Sequence, residues 1–210
     1  MIAFFLRDRA EILRLTGQHL FLSGVSLGLA LLVGAPLGVL LTRRRRLAPW
    51  FLGATATIQT VPSVALLGLL LLLPVIGGIG VRPAITALFL YALMTILESV
   101  YAGIVSVSPA LVDVGRGLGM TELELLRYVE LPQALPVLVA GLRMSTVLVI
   151  GAATVASYVG AGGLGDLIFR GVGRGDADMV AWGALPATAL AVVAHLGLTA
   201  LERRLARRRA

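Results

Sequence analysis

The chain contains no cysteine and no lysine, and only 14% of its 210 residues are charged. The missing cysteines exclude a disulfide framework and thiolate chemistry. Soluble domains are usually about a quarter charged and about half apolar. At 58% hydrophobic residues, this chain is a poor candidate for a soluble fold. Its two histidines, His19 and His195, lie near opposite ends without clustered acids, so no metal site is expected. No phosphate loop of the form G-x-x-x-x-G-K-S/T occurs; energy from nucleotide hydrolysis would have to come from another polypeptide.

The net charge of +7 comes entirely from arginine. The arginines cluster at Arg43 to Arg46 and at Arg203, Arg204 and Arg207 to Arg209, at the ends of apolar runs. That placement fits cytoplasmic flanks of membrane helices and argues against nucleic acid as a partner. At the N-terminus, Ile2 to Leu6 is too short an apolar core for a cleaved signal and is followed by Arg7, Asp8, Arg9 and Glu11. Phe4, Phe5, Ile12 and Leu13 make residues 1–18 readable as an amphipathic segment lying on lipid.

A helix needs roughly 20 mostly apolar residues to cross the hydrocarbon core, and five stretches reach that length. They run from Leu20 to Leu41, Phe51 to Leu73, Pro83 to Val105, Ala134 to Ser157 and Met179 to Leu201. Their continuous apolarity excludes the alternation of a barrel strand. The expected fold is therefore an all-α integral membrane protein with five transmembrane helices in one domain, residues 19–202, followed by a basic tail, 203–210. With the C-terminus inside, eleven arginines fall on the cytoplasmic side and six outside, so the arginine bias predicts N-out, C-in. Ser23, Gly24, Gly28, Gly34 and Gly38 in the first span suit close helix packing. Pro36, Pro62 and Pro136 each remove a helix hydrogen bond.

The longest polar stretch, 106–133, lies between the third and fourth spans, on the cytoplasmic side in this topology. Asp113 to Tyr128 reads as two short helices broken at Gly117 and Gly119. Thr121 is an N-cap for a segment carrying Leu123, Leu125 and Leu126. Leucines exposed on such a segment would suit a groove on a soluble partner.

In this loop the chain resembles the inner-membrane permeases of binding-protein-dependent ABC importers. Their signature is Glu-Ala-Ala, three residues, Gly, nine residues, then Ile-x-Leu-Pro. Here Asp113-Val114-Gly115, Gly119 and Val129-Glu130-Leu131-Pro132 stand at the same spacing. Gly119 and Leu131-Pro132 match outright; Val114-Gly115 departs from the paired alanines. The resemblance implies a coupling helix seated on an ABC ATPase subunit, with Gly119 making the turn, Met120 to Leu126 forming the docking surface and Pro132 ending the loop. It covers residues 19–202 and is strongest for osmoprotectant permeases. The stretches that carry it are Gln59-Thr60-Val61-Pro62-Ser63, Gly115 to Thr121 and Ala156 to Gly165. Methionine permeases share the layout, so a methionine-permease-like fold is implied.

The family reading implies several partners: an ATPase dimer that holds ATP and magnesium, an extracellular binding protein, a second permease subunit and membrane lipid. It implies no cofactor in this chain and no catalysis by it. The carried solute would be a small quaternary ammonium compound such as glycine betaine, carnitine or choline. Such head groups are held by aromatic cages, which the family places in the binding protein. Tyr91, Tyr101, Tyr158 and Trp182 therefore read as interfacial or packing residues. The alternatives are another small solute such as methionine, an ion-coupled secondary transporter, and an embedded enzyme. The last lacks paired acids or a nucleophile with its base.

Within the spans, Gln59, Pro62, Ser63 and Glu98 are the candidates for the translocation pathway. An acid inside an apolar span costs about 3 kcal/mol in insertion terms and is a functional candidate by default. Glu98 either lines the path, favouring cationic head groups, or pairs with Arg143 or Ser99. Arg143 can also snorkel inward or meet the loop acids. Glu122, Glu124 and Glu130 read as a solvated face. Gly160, Gly162 and Gly165 satisfy G-x-G-x-x-G but follow a membrane helix, not a strand, which excludes a dinucleotide site. Gly163-Leu164-Gly165-Asp166 matches the G-x-G-D of intramembrane aspartyl proteases without the second acid that chemistry needs. Gly160, Gly162, Gly163 and Gly165 are better read as a flexible turn forming part of an external gate.

Overall fold

The computed structural model describes residues 2–73 and 76–207, with side chains described from residue 8 onward. Phe4, Phe5 and Arg7 of the expected amphipathic segment, and Arg208 to Ala210 of the basic tail, lie outside the described side chains. Every regular element among the described residues is helical. In chain order they are α1 (Ile2–Arg43), α2 (Ala48–Gln59), α3 (Ser63–Leu71), α4 (Val81–Val105), α5 (Pro109–Gly117), α6 (Glu122–Glu124), α7 (Leu131–Ala156), α8 (Gly165–Arg174) and α9 (Ala177–Arg207).

Four helical stretches, containing α1, α4, α7 and α9, are long and apolar enough to cross a membrane; the α2–α3 pair makes a fifth if it counts as one bent span. The first span does not begin afresh at Leu20. α1 runs unbroken for 42 residues, about 63 Å at 1.5 Å per residue, roughly twice the hydrocarbon thickness. Residues 8–18 therefore belong to the same helix as the first span. Ile12 and Leu15 are buried with Leu164, Leu167 and Met179 of the α8–α9 region.

The expected continuous span from Phe51 to Leu73 is bent by 98° between α2 and α3. Pro62 is the cause: it cannot donate the helix bond, and it adopts φ −57°, ψ 139° as the N-cap of α3. The break exposes the carbonyl of Val61, which accepts a 2.6 Å bond from the Tyr91 hydroxyl.

Small residues set the helix spacing. A Cβ on Gly38 would come within 2.7 Å of Val100 Cγ1, and one on Gly103 within 2.7 Å of Leu138 Cδ1. A Cβ on Gly141 would collide with the Ser99 hydroxyl. These contacts bring α1 onto α4 and α4 onto α7, while Gly24 and Gly28 face open space. The main core lies along α4, with Ala84, Leu88, Ala92, Ile96 and Val149 among its buried members.

Candidate functional site

Two features stand out: an elbow between α5 and α7, and a groove at the α2–α3 break. In the elbow, α5 ends at Gly117 and the chain reverses through Gly119 at φ +81°, a conformation that suits glycine. The Gly119 amide donates to the Arg116 carbonyl at 2.9 Å and the Met120 amide to the Gly115 carbonyl at 3.1 Å. This is the double bond pattern of a glycine-terminated helix. Thr121 then starts α6 with a reciprocal cap. Its hydroxyl accepts from the Glu124 amide at 3.3 Å, and Glu124 Oε2 accepts from the Thr121 amide at 2.8 Å.

The helix that starts at Thr121 does not stop before the fourth span. It passes through a π-helical stretch, Leu125–Glu130, directly into α7. Pro132 therefore lies within a continuous helix instead of ending the loop. A proline at that point has no amide for the Tyr128 carbonyl and its ring crowds it; widening the preceding turn relieves both problems. The Leu131 amide accordingly donates five residues back, to Leu126.

The leucines of the segment face different ways. Leu123 is 72% exposed, Leu125 is 1% exposed, and Leu126 is half-buried against the main core. The outward apolar surface is instead Val114, Leu118, Leu123 and Tyr128. Met120 is half-buried, and Asp113 and Thr121 are exposed. Gly115, where the family pattern carries alanine, makes room for Leu125: a Cβ there would lie 2.5 Å from Leu125 Cδ2.

The loop acids are not simply a solvated face. Glu130 is buried and receives both terminal nitrogens of Arg43, at 2.8 and 2.5 Å. Glu122 lies 3.6 Å from Arg43 and 3.3 Å from Arg116, and Glu124 serves the cap. A cavity of about 180 Å³ sits behind this network, walled by Arg43, Arg45, Asp113, Arg116 and Glu130.

The groove has a volume of about 490 Å³. Its walls are Gln59 to Ser63 at the break, Tyr91 of α4, and Val147, Leu148, Gly151, Ala152 and Val155 of α7. Gln59, Pro62 and Ser63 are thus brought together; Gln59 Nε2 lies 3.5 Å from Thr95 Oγ1. Glu98 is half-buried on α4 and is not among these lining residues. Its sequence-derived partners are engaged elsewhere: Arg143 pairs with Glu202 at 3.3 Å, and the Ser99 hydroxyl donates to the Thr95 carbonyl at 2.6 Å. The α7 wall and Tyr91 were not among the sequence candidates for the pathway. A tyrosine hydroxyl in mid-span, which needs a polar partner, was the signal for Tyr91.

Beyond α7, Gly160, Gly162 and Gly163 take φ values of +75°, +78° and +88°. The Gly163 amide donates to Gln18 Oε1 at 3.2 Å. Gly165 opens α8, where a Cβ would collide with the Thr154 carbonyl. His19 is fully buried beside this turn, its Nε2 donating to the Ile150 carbonyl at 3.0 Å. Nothing in the sequence paired Gln18 or His19 with a segment about 145 residues away.

Residues 30–210 match the family described as "Binding-protein-dependent transport system inner membrane component". The chain belongs to that family. It is a membrane permease subunit of an importer and not an enzyme. It is 43% identical over 205 residues to the carnitine transport permease protein OpuCB of Listeria monocytogenes, covering 98% of this chain and 93% of that one. It is 41% identical to the glycine betaine/carnitine/choline transport system permease protein OpuCB of Bacillus subtilis strain 168, covering 97% and 93%. Its fold is that of the inward-facing MetNI methionine ABC transporter, with a TM-score of 0.84, 23% identity and coverage of 92% and 95%. This family couples permeases to separate ATPase and binding-protein partners.

Proposed function

We propose that this permease crosses the membrane five times, with the α2–α3 pair as one bent span, its N-terminus outside and its C-terminus in the cytoplasm. It pairs with a second permease subunit, a copy of itself or a sister chain, so that two grooves lined by Gln59, Pro62 and Ser63 face each other across a translocation path. An ATPase dimer, which holds ATP and magnesium, docks on the two elbows through Asp113, Gly119 to Leu123 and neighbouring apolar side chains. An extracellular binding protein delivers the solute, and the Gly160–Gly165 turn closes the outer side. The solute is a small quaternary ammonium osmoprotectant such as carnitine, glycine betaine or choline, the solutes named for the two relatives.

The observation that carries this reading is the continuity of the helix from Thr121 through Glu130 into α7, whose far side forms one wall of the groove. Closure of an ATPase pair would displace the elbow. A stiff helix transmits that displacement to the groove as rigid-body motion. Proteoliposomes containing permease, ATPase and binding protein should accumulate labelled betaine, carnitine or choline only with ATP. Accumulation of methionine alone would reassign the solute. Accumulation driven by an ion gradient without ATP would overturn the mechanism.

A further inference from the structure

α4 carries a single acid, Glu98, along its 25 residues, and its neighbours fix the direction in which it faces. Ser99 occupies the space beside Gly141 of α7, and Ile96 and Val100 lie on Gly34 and Gly38 of α1. Leu97 packs with Leu41 and Ala48, at the start of α2. At about 100° per residue, the remaining sector of α4, between α2 and α7, contains Tyr91, Thr95 and Glu98. Tyr91 lines the groove and Thr95 meets Gln59. Glu98 therefore continues the groove-facing stripe, about 10 Å along the helix from Tyr91.

Glu98 is half-buried and has no hydrogen bond or ion pair among the described residues. The one arginine of α7, Arg143, is held by Glu202. An apolar span thus keeps an acid without a polar partner among the described residues, on the face that continues a polar-edged groove. Acids retained in such places mark ion and substrate routes.

We infer that Glu98 is a cation-selective subsite of the groove, taking organic monocations with a quaternary ammonium head and favouring them over zwitterions that carry their own carboxylate. A quaternary ammonium group has no proton to donate, so recognition relies on charge and on aromatic faces. A zwitterion brings a second carboxylate toward Glu98, where like charges repel. The inference rests on the reading of the groove as part of the transport path.

The test uses the complete complex in proteoliposomes with saturating binding protein and compares initial uptake of choline and glycine betaine. Glu98→Gln should lower the choline-to-betaine ratio at least tenfold, while Glu98→Asp should hold it within twofold of wild type. ATPase co-purification serves as the check that each variant is assembled. Equal losses for both solutes, an unchanged ratio, or a wild-type complex that carries betaine and no choline would overturn the inference alone. A wild-type complex that moves neither of these solutes nor carnitine overturns this inference together with the assignment of a quaternary ammonium solute.

Discussion

Arg43 and Glu130 are 87 residues apart in the chain and meet in a two-pronged ion pair, joining the end of α1 to the turn that leads into α7. Glu130 is 4% exposed, while the Arg43 side chain is 31% exposed. The elbow is therefore tied to three membrane helices, α4 and α7 by the chain itself and α1 by charge.

Removing the acceptor leaves a partly desolvated guanidinium with only the more exposed Glu122, 3.6 Å away, as a partner. Glu130→Ala should destabilise the protein by about 1 to 2 kcal/mol, below the range for fully buried pairs because Arg43 keeps some water. Thermal unfolding in detergent measures this. The exchanged pair, Arg43→Glu with Glu130→Arg, should recover part of the loss. It should also recover solute moved per ATP hydrolysed better than either single variant.

Leu123 and Leu126 separate docking from folding. Leu123→Asp alters an exposed side chain and should leave the unfolding temperature within about 2 °C of wild type, consistent with the small effects typical of surface changes. It should nevertheless abolish ATPase co-purification. Leu126→Asp places a charge against the core and should lower the yield of folded protein. Retained ATPase binding by a folded Leu123→Asp variant would exclude that residue from the docking surface.

Gly119 stands at φ +81°, where a β-branched side chain is strained. Gly119→Val should cost on the order of 1 to 3 kcal/mol locally and weaken ATPase association. Gly119→Asn should be tolerated better, since asparagine visits the left-handed region more readily. Affinity for the ATPase, measured by titration in detergent, should rank wild type above Asn and Asn above Val.

The Tyr91 hydroxyl holds the Val61 carbonyl at the break. Tyr91→Phe should cost about 1 kcal/mol of stability, the net contribution of one hydrogen bond, with a larger fractional fall in uptake than in ATPase binding. An unchanged uptake rate would show that the break keeps its geometry without this bond.

Much of the elbow was legible in advance because its determinants are local. Gly119 and the Thr121–Glu124 cap act on residues within a few positions of themselves, through backbone sterics and short-range hydrogen bonds. Pro62 likewise announced a lost helix bond. The 98° bend at that proline was not legible, because the direction taken by α3 depends on what α4 presents to it. Leu126 was expected to face outward with Leu123. Its inward orientation follows from the π-helical stretch and from the core it meets.

By itself, the amino-acid order determined that the chain is helical and membrane-embedded, and where its family signature lies, since apolar run length and backbone propensity are properties of short segments. Tertiary structure alone decided that Glu130 is buried against Arg43, that Arg143 turns to Glu202, and that Glu98 has no partner among the described residues on the groove-facing stripe. Each of those outcomes depends on how two distant helices are rotated against one another. That rotation is set by the summed packing of many side chains, such as those around Gly38, Gly103 and Gly141.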